Sequence, residues 1–155
     1  MISVLDGNAG LGFVPLQGSY SAALFAGSFP SWFTLYQVGS VPAGTKSLQL
    51  DAYSVNAQFN ITLGGRTLHM VPLSTVSRPG FPASYTTYGA DILSFAGQVV
   101  QLSITELPPT PATAPGELFF DNIVFSQNSV PEPGALGLSV VGLLVLGWRT
   151  FRWRR

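Results

Sequence analysis

Apolar and polar positions alternate with a period of two along most of the chain. The clearest case is residues 57–71, AQFNITLGGRTLHMV. Phe59, Ile61 and Leu63 alternate with Asn60 and Thr62, then Gly64-Gly65 intervenes, and Leu68 and Met70 alternate with Thr67 and His69. A two-residue Gly-Gly loop suits a primed turn, whose central residues take positive φ at no steric cost to glycine. Pairing Leu63 with Arg66 places Ile61 opposite Leu68 and Phe59 opposite Met70 on the buried face. Thr62 then meets Thr67 and Asn60 meets His69 on the solvent face. The same alternation predicts strands at 46–54, with Leu48, Leu50 and Ala52 inward, and at 98–107, with Val100, Leu102 and Ile104 inward. Residues 117–126 (ELFFDNIVFS) are apolar on both faces, as a central strand requires. Weaker strands are expected at 19–25 and 32–38. Residues 72–85 and the proline-rich 107–116 read as loops, and no internal repeat is present. This pattern predicts an all-β fold, an antiparallel β-sandwich of jelly-roll type over residues 1–126.

Composition narrows the class. Charged residues make up 9% of the 155 residues, against about 25% in a typical soluble domain. Cysteine is absent, which removes disulfides, thiolate catalysis and cysteine–zinc sites. The zero net charge is unevenly placed. Before Val130 three basic residues stand against six acidic ones, net −3, whereas from Val130 onward four arginines oppose only Glu132, net +3. An acidic body lacks the basic face of a nucleic-acid binder.

The C-terminal 26 residues read VPEPGALGLSVVGLLVLGWRTFRWRR. Residues 127–133 form a linker, and 134–155 are predicted to be a single hydrophobic helix with a basic end. Pro131 and Pro133 stop a preceding strand and suit the entry to a helix. The uncharged run 134–148 would span about 22 Å as a helix, short of a hydrocarbon core of about 30 Å. Snorkelling arginines and the rings of Trp148, Phe151 and Trp153 extend the reach, and the positive end favours a C-terminus left in the cytoplasm. A buried terminal helix is the competing reading, and four arginines with two tryptophans make an odd end for one. Val130-Pro131-Glu132-Pro133, the Gly/Ala/Leu/Val run and the cluster Arg149, Arg152, Arg154 and Arg155 together resemble the PEP-CTERM sorting signal of Gram-negative bacteria. That resemblance implies recognition and cutting near the Pro-Glu-Pro by an exosortase, an integral membrane enzyme, with export to the cell envelope or matrix. It also implies a signal peptide. The opening MISVLDGNAGLGF has no basic or apolar leader, so the expectation is a start further upstream and a first strand missing here.

The body has a second resemblance. Gly-Ser-Tyr-Ser-Ala-Ala-Leu, Leu-Gln-Leu-Asp-Ala, Gly-Gln-Val-Val-Gln-Leu and Leu-Phe-Phe-Asp-Asn-Ile-Val-Phe occur in the order seen in galactose-binding-like jelly rolls and related carbohydrate-binding modules. The resemblance implies a structural calcium at Asp121, with backbone oxygens around Gly18. The acidic N-terminal motif that completes such sites is not in this sequence, and an aspartate hydrogen-bonded to loop backbone is the simpler expectation.

Candidate chemistry is sparse. His69 is the only histidine, falls on the polar face of its strand and has no Gly-x-Ser-x-Gly elbow to serve. No pair of acids is marked as catalytic, and no glycine-rich phosphate loop with a lysine occurs. Trp32, Phe33, Tyr36, Phe81, Tyr85 and Tyr88 are candidates for stacking on sugar rings. Core packing is the favoured reading for Trp32 and Phe33; for Tyr85 and Tyr88 core and ligand stand level. The expected function is a non-enzymatic exported protein that contacts exopolysaccharide. A polysaccharide-active hydrolase and a purely structural matrix protein are the alternatives.

Overall fold

The computed structural model describes residues 1–6, 12–26, 32–108 and 115–130. Two antiparallel sheets face each other. Strands β1 (Ile2–Leu5), β2 (Ser21–Ala26), β10 (Gly116–Ser126), β4 (Ser47–Val55), β8 (Ser84–Asp91) and β7 (Val71–Ser77) form the larger sheet in that order. The smaller sheet runs β3 (Phe33–Ser40), β9 (Val99–Glu106), β5 (Phe59–Leu63) and β6 (Arg66–Thr67). An all-β antiparallel sandwich is therefore the fold, as the period-two pattern predicts. The terminal helix expected over 134–155 lies outside the described residues. Among the described residues no helix is long and apolar enough to cross a membrane.

The core lies between the inner faces. Leu24, Leu48, Leu50, Ala52, Leu118 and Phe120 from the six-stranded sheet meet Ile61, Leu63 and Ile104 from the four-stranded one. Strand β10 is central, flanked by β2 and β4, which accounts for its apolar character on both faces. The Gly-Gly hairpin forms as expected. Leu63 pairs with Arg66 and Thr62 with Thr67, and Gly64 and Gly65 take φ values of 56° and 77°. A side chain at Gly64 would also sit 3.0 Å from the Phe95 ring. The pairing ends early, because the chain leaves β6 after Thr67, yet Leu68 and Met70 still pack inward and His69 stays exposed.

The expected loop at 72–85 is corrected by the structure. Residues 71–77 and 84–91 are paired strands, β7 and β8. Serine, threonine and tyrosine hid their alternation, and Pro72 argued against a strand. β7 is an edge strand, and its register shifts between Pro72 and Ser74, so the missing N–H of Pro72 is accommodated there.

A second apolar cluster lies on the outer face of the six-stranded sheet. Leu5, Ala23, Tyr85 and Phe119 are covered there by Phe13 and Leu16 of the segment that precedes β2. The Phe13 ring is 5.0 Å from Phe119 and 5.5 Å from Phe81. Arg78 holds this cover in place by donating to the carbonyls of Pro15 and Val14, and its guanidinium sits 5.8 Å from the Tyr85 ring.

Candidate functional site

Among the described residues the outer face of the four-stranded sheet has no such aromatic cover. In β3 the alternation turns Phe33 toward the core and Thr34, Tyr36 and Val38 outward. The register aligns these with the outer positions of β9 and β5 in cross-strand rows. Thr34 stands beside Thr105 and Asn60, Tyr36 beside Ser103 and Thr62, and Val38 beside Gln101. Thr34 and Thr105 share a hydroxyl–hydroxyl bond of 2.9 Å, and the Gln101 amide donates to the Ser103 hydroxyl at 2.9 Å. None of these positions is charged. Tyr36 is 65% exposed, and Trp32, one residue before the strand, is 69% exposed. Four residues of extended chain separate the two rings by about 13 Å along the strand. Two exposed rings with neutral donors and acceptors between them suit a ligand that has apolar ring faces and many hydroxyls.

The aromatic candidates separate on this frame. Phe33 packs against the core, in line with the favoured reading. Trp32 does not, since it falls on the outward side of the alternation that Phe33 begins. Tyr85 is 7% exposed under Arg78, and Tyr88 points inward, its ring perpendicular to Phe59 at 5.4 Å. Both border a pocket of about 170 Å³ at the ends of β4 and β8, but the Tyr88 ring packs between the sheets and the Tyr85 ring in the outer cluster. Phe81 is 43% exposed and borders the outer aromatic cluster, 5.5 Å from Phe13 and 5.9 Å from Tyr53.

Asp121 meets the segment on either side of Gly18 through Gln17 and Ser21. The Gln17 N–H donates to Asp121 Oδ2 at 3.1 Å, the Ser21 hydroxyl donates to the same oxygen at 2.6 Å, and the Asn122 N–H donates to Oδ1 at 2.7 Å. Across the strand pair Asp51 accepts from the Thr87 hydroxyl at 2.6 Å and from the Asn122 amide at 3.3 Å. Asn122 takes φ of 50° where the register of β10 shifts, which lets both its backbone and its side chain donate. Calcium needs about six to eight oxygen ligands. Here N–H and O–H donors surround the carboxylates, and among the described residues no three Asp, Glu or His side chains gather. The set fits hydrogen-bonded carboxylates and does not fit a calcium cage.

Glu106 is the least expected feature. It lies on the inner face of β9, fully buried beside the paired residues Phe33 and Phe59. Neither carboxyl oxygen has a partner at good hydrogen-bond geometry among the described residues, although the Ala26 backbone lies close enough to favour the ionised form. Burial pushes its pKa above the ordinary carboxylate value, opposed by the Ala26 backbone and the N-terminal amine and aided slightly by Glu117. Alternation alone would have flagged it, because Glu106 continues the inward series Val100, Leu102, Ile104. A larger cleft of about 410 Å³ opens between the sheets near Val41, lined mainly by Leu63, Val100, Leu102, Ile123 and Phe125. Neither this cleft nor the smaller pocket is lined by an acid or histidine.

Val130 is the last described residue. Pro131, Glu132, Pro133 and the four arginines lie outside the described residues. Comparison of the sequence with known families matches residues 129–155 to the PEP-CTERM protein-sorting motif. No curated protein matches the chain. Among solved structures the fold is similar to CBM27-1 of Caldicellulosiruptor saccharolyticus, crystallised in complex with mannohexaose. The TM-score is 0.56 at 14% identity, over 84% of each chain. The chain is thus an antiparallel β-sandwich, similar in fold to that module, with a PEP-CTERM protein-sorting motif over residues 129–155, which implies exosortase-sorted export.

Proposed function

We propose that this is a non-enzymatic exported protein that holds exopolysaccharide at the cell envelope or in the surrounding matrix. The C-terminal motif supplies the address, with residues 134–155 entering the membrane as a helix while the exosortase acts. The outer face of the four-stranded sheet supplies the binding surface. The observation that carries this reading is the pair of rings on this uncharged face, Tyr36 and Trp32, 65% and 69% exposed among the described residues. Exposed aromatic rings bury apolar sugar faces, while Thr34, Gln101 and Thr105 exchange hydrogen bonds with hydroxyls. The likeness in fold to a domain crystallised with mannohexaose makes that oligosaccharide a natural first probe beside the host's own exopolysaccharide. Replacing Trp32 and Tyr36 together by alanine is expected to weaken retention on the polysaccharide by about tenfold or more, since each stacked ring contributes roughly 1 kcal/mol. Retention equal to the parent's would overturn the assignment of this face.

A further inference from the structure

The sandwich holds the start of the sorting motif. After β10 ends at Ser126 the chain does not swing free. The Lys46 N–H donates to the Ser126 carbonyl at 2.8 Å, and the Asn128 N–H donates to the Ser126 hydroxyl at 3.1 Å. The hydroxyl of Ser47, itself fully buried, donates to the Asn128 carbonyl at 2.8 Å. Two residues on, the half-buried Val130 lies over Gly89 of β8. A Cβ built on Gly89 would come 3.0 Å from Val130 Cγ2 and 2.9 Å from Leu73 Cδ1. The φ of Gly89 is not in the left-handed region, so backbone conformation does not demand a glycine there. The space above it is what a side chain would take, and Val130 with Leu73 fills it.

The sorting motif begins at residue 129, so its first two residues belong to this docked strap. We infer that the strap restrains processing: residues 127–130 must lift from the six-stranded sheet before the Pro-Glu-Pro is open to a membrane-bound enzyme. An enzyme acting on a peptide needs extended chain on both sides of its site, and a folded body one residue before Pro131 occupies that space. Processing then scales with the fraction of molecules whose strap is released. A well-folded body delays its own processing, and Val130, Gly89, Leu73 and Ser47 set the delay.

This inference rests on exosortase sorting, and the experiment separates the two. Full-length protein is expressed in its exporting host, and the precursor-to-mature ratio is followed by pulse-chase. Ser47→Ala removes the hydrogen bond to Asn128, Gly89→Ala pushes Val130 from its seat, and Pro131→Ala with Pro133→Ala alters the motif itself. The first two lie outside the motif, so a change in them does not reflect direct recognition by the enzyme. Expected are several-fold faster maturation for Ser47→Ala and Gly89→Ala, and a block for the double proline variant. Maturation of both body variants at or below the parental rate, with the proline variant blocked, overturns the strap and leaves the sorting intact. Maturation of the proline variant at the parental rate overturns the sorting itself. Because Gly89→Ala strains packing, its thermal unfolding is measured alongside. If it fails to fold, Ser47→Ala alone decides, accelerated maturation supporting the strap and an unchanged rate overturning it.

Discussion

The two outer faces of the sandwich have opposite fates. On the six-stranded sheet the outer positions Ala23, Tyr85 and Phe119 are apolar and are roofed by Phe13 and Leu16, with Arg78 pinning the roof. On the four-stranded sheet the outer positions are threonine, serine, glutamine and asparagine with one valine, Val38, and two aromatic rings stand in solvent. One face has become a second core, and the other carries no such roof among the described residues. Apolar surface removed from water stabilises at about 25 cal/mol per Å², so the roofed face serves stability. The other face adds little to folding through Tyr36 and Trp32, whose rings are mostly in solvent.

The contrast predicts a graded series of effects. Phe119→Ala, in the roofed face, leaves a cavity under Phe13 and is expected to destabilise by about 3–5 kcal/mol in urea denaturation. Tyr36→Ala, on the other face, is expected to change stability by no more than about 0.5 kcal/mol. Equal losses for the two would abolish the distinction between the faces. Ser21→Ala removes one of the two donors to Asp121 Oδ2 at the edge of the roof, and a loss of about 1.5–3 kcal/mol is expected because the acceptor is charged.

A smaller effect tests what lies between the sheets. Glu106 has its pKa raised by burial, so between the ordinary carboxylate pKa and the raised one the folded state binds more protons than the unfolded state. Stability is therefore fully kept below that window and falls as pH rises through it. Glu106→Gln cannot ionise. Its melting temperature should match the parent's near pH 4 and exceed it by a few degrees at neutral pH. A variant less stable than the parent at neutral pH would reveal a partner for the ionised carboxylate. The smallest effect concerns calcium. The donors around Asp121 and Asp51 already satisfy both carboxylates, so millimolar calcium is expected to leave the melting temperature unchanged. A rise on adding calcium, reversed by a chelator, would mean that a cation displaces the Ser21 hydroxyl.

How much of this was legible beforehand follows from local physics. Strands β4, β5, β9 and β10 alternate strongly because one or both faces are buried, and the positive φ at Gly64 and Gly65 follows from a two-residue turn. Strands β7 and β8 escaped notice because threonine, serine and tyrosine carry little hydrophobic contrast and Pro72 masks an edge strand. Tyr85 was level between core and ligand because its burial depends on a roof from residues 12–20, far away in sequence. Trp32 was misjudged because a large ring beside Phe33 reads as core, whereas one residue of offset turns it outward.

The chain alone determined the period-two strands, the hairpin register, the uneven charge and the sorting address, because each rests on residues adjacent in sequence. Tertiary structure decided which outer face is roofed, which rings stay exposed, how Asp121 is satisfied and where Val130 docks. Those outcomes depend on segments far apart in sequence, as with the 104 residues between Gln17 and Asp121. No local pattern encodes which of two sheet faces another segment will cover.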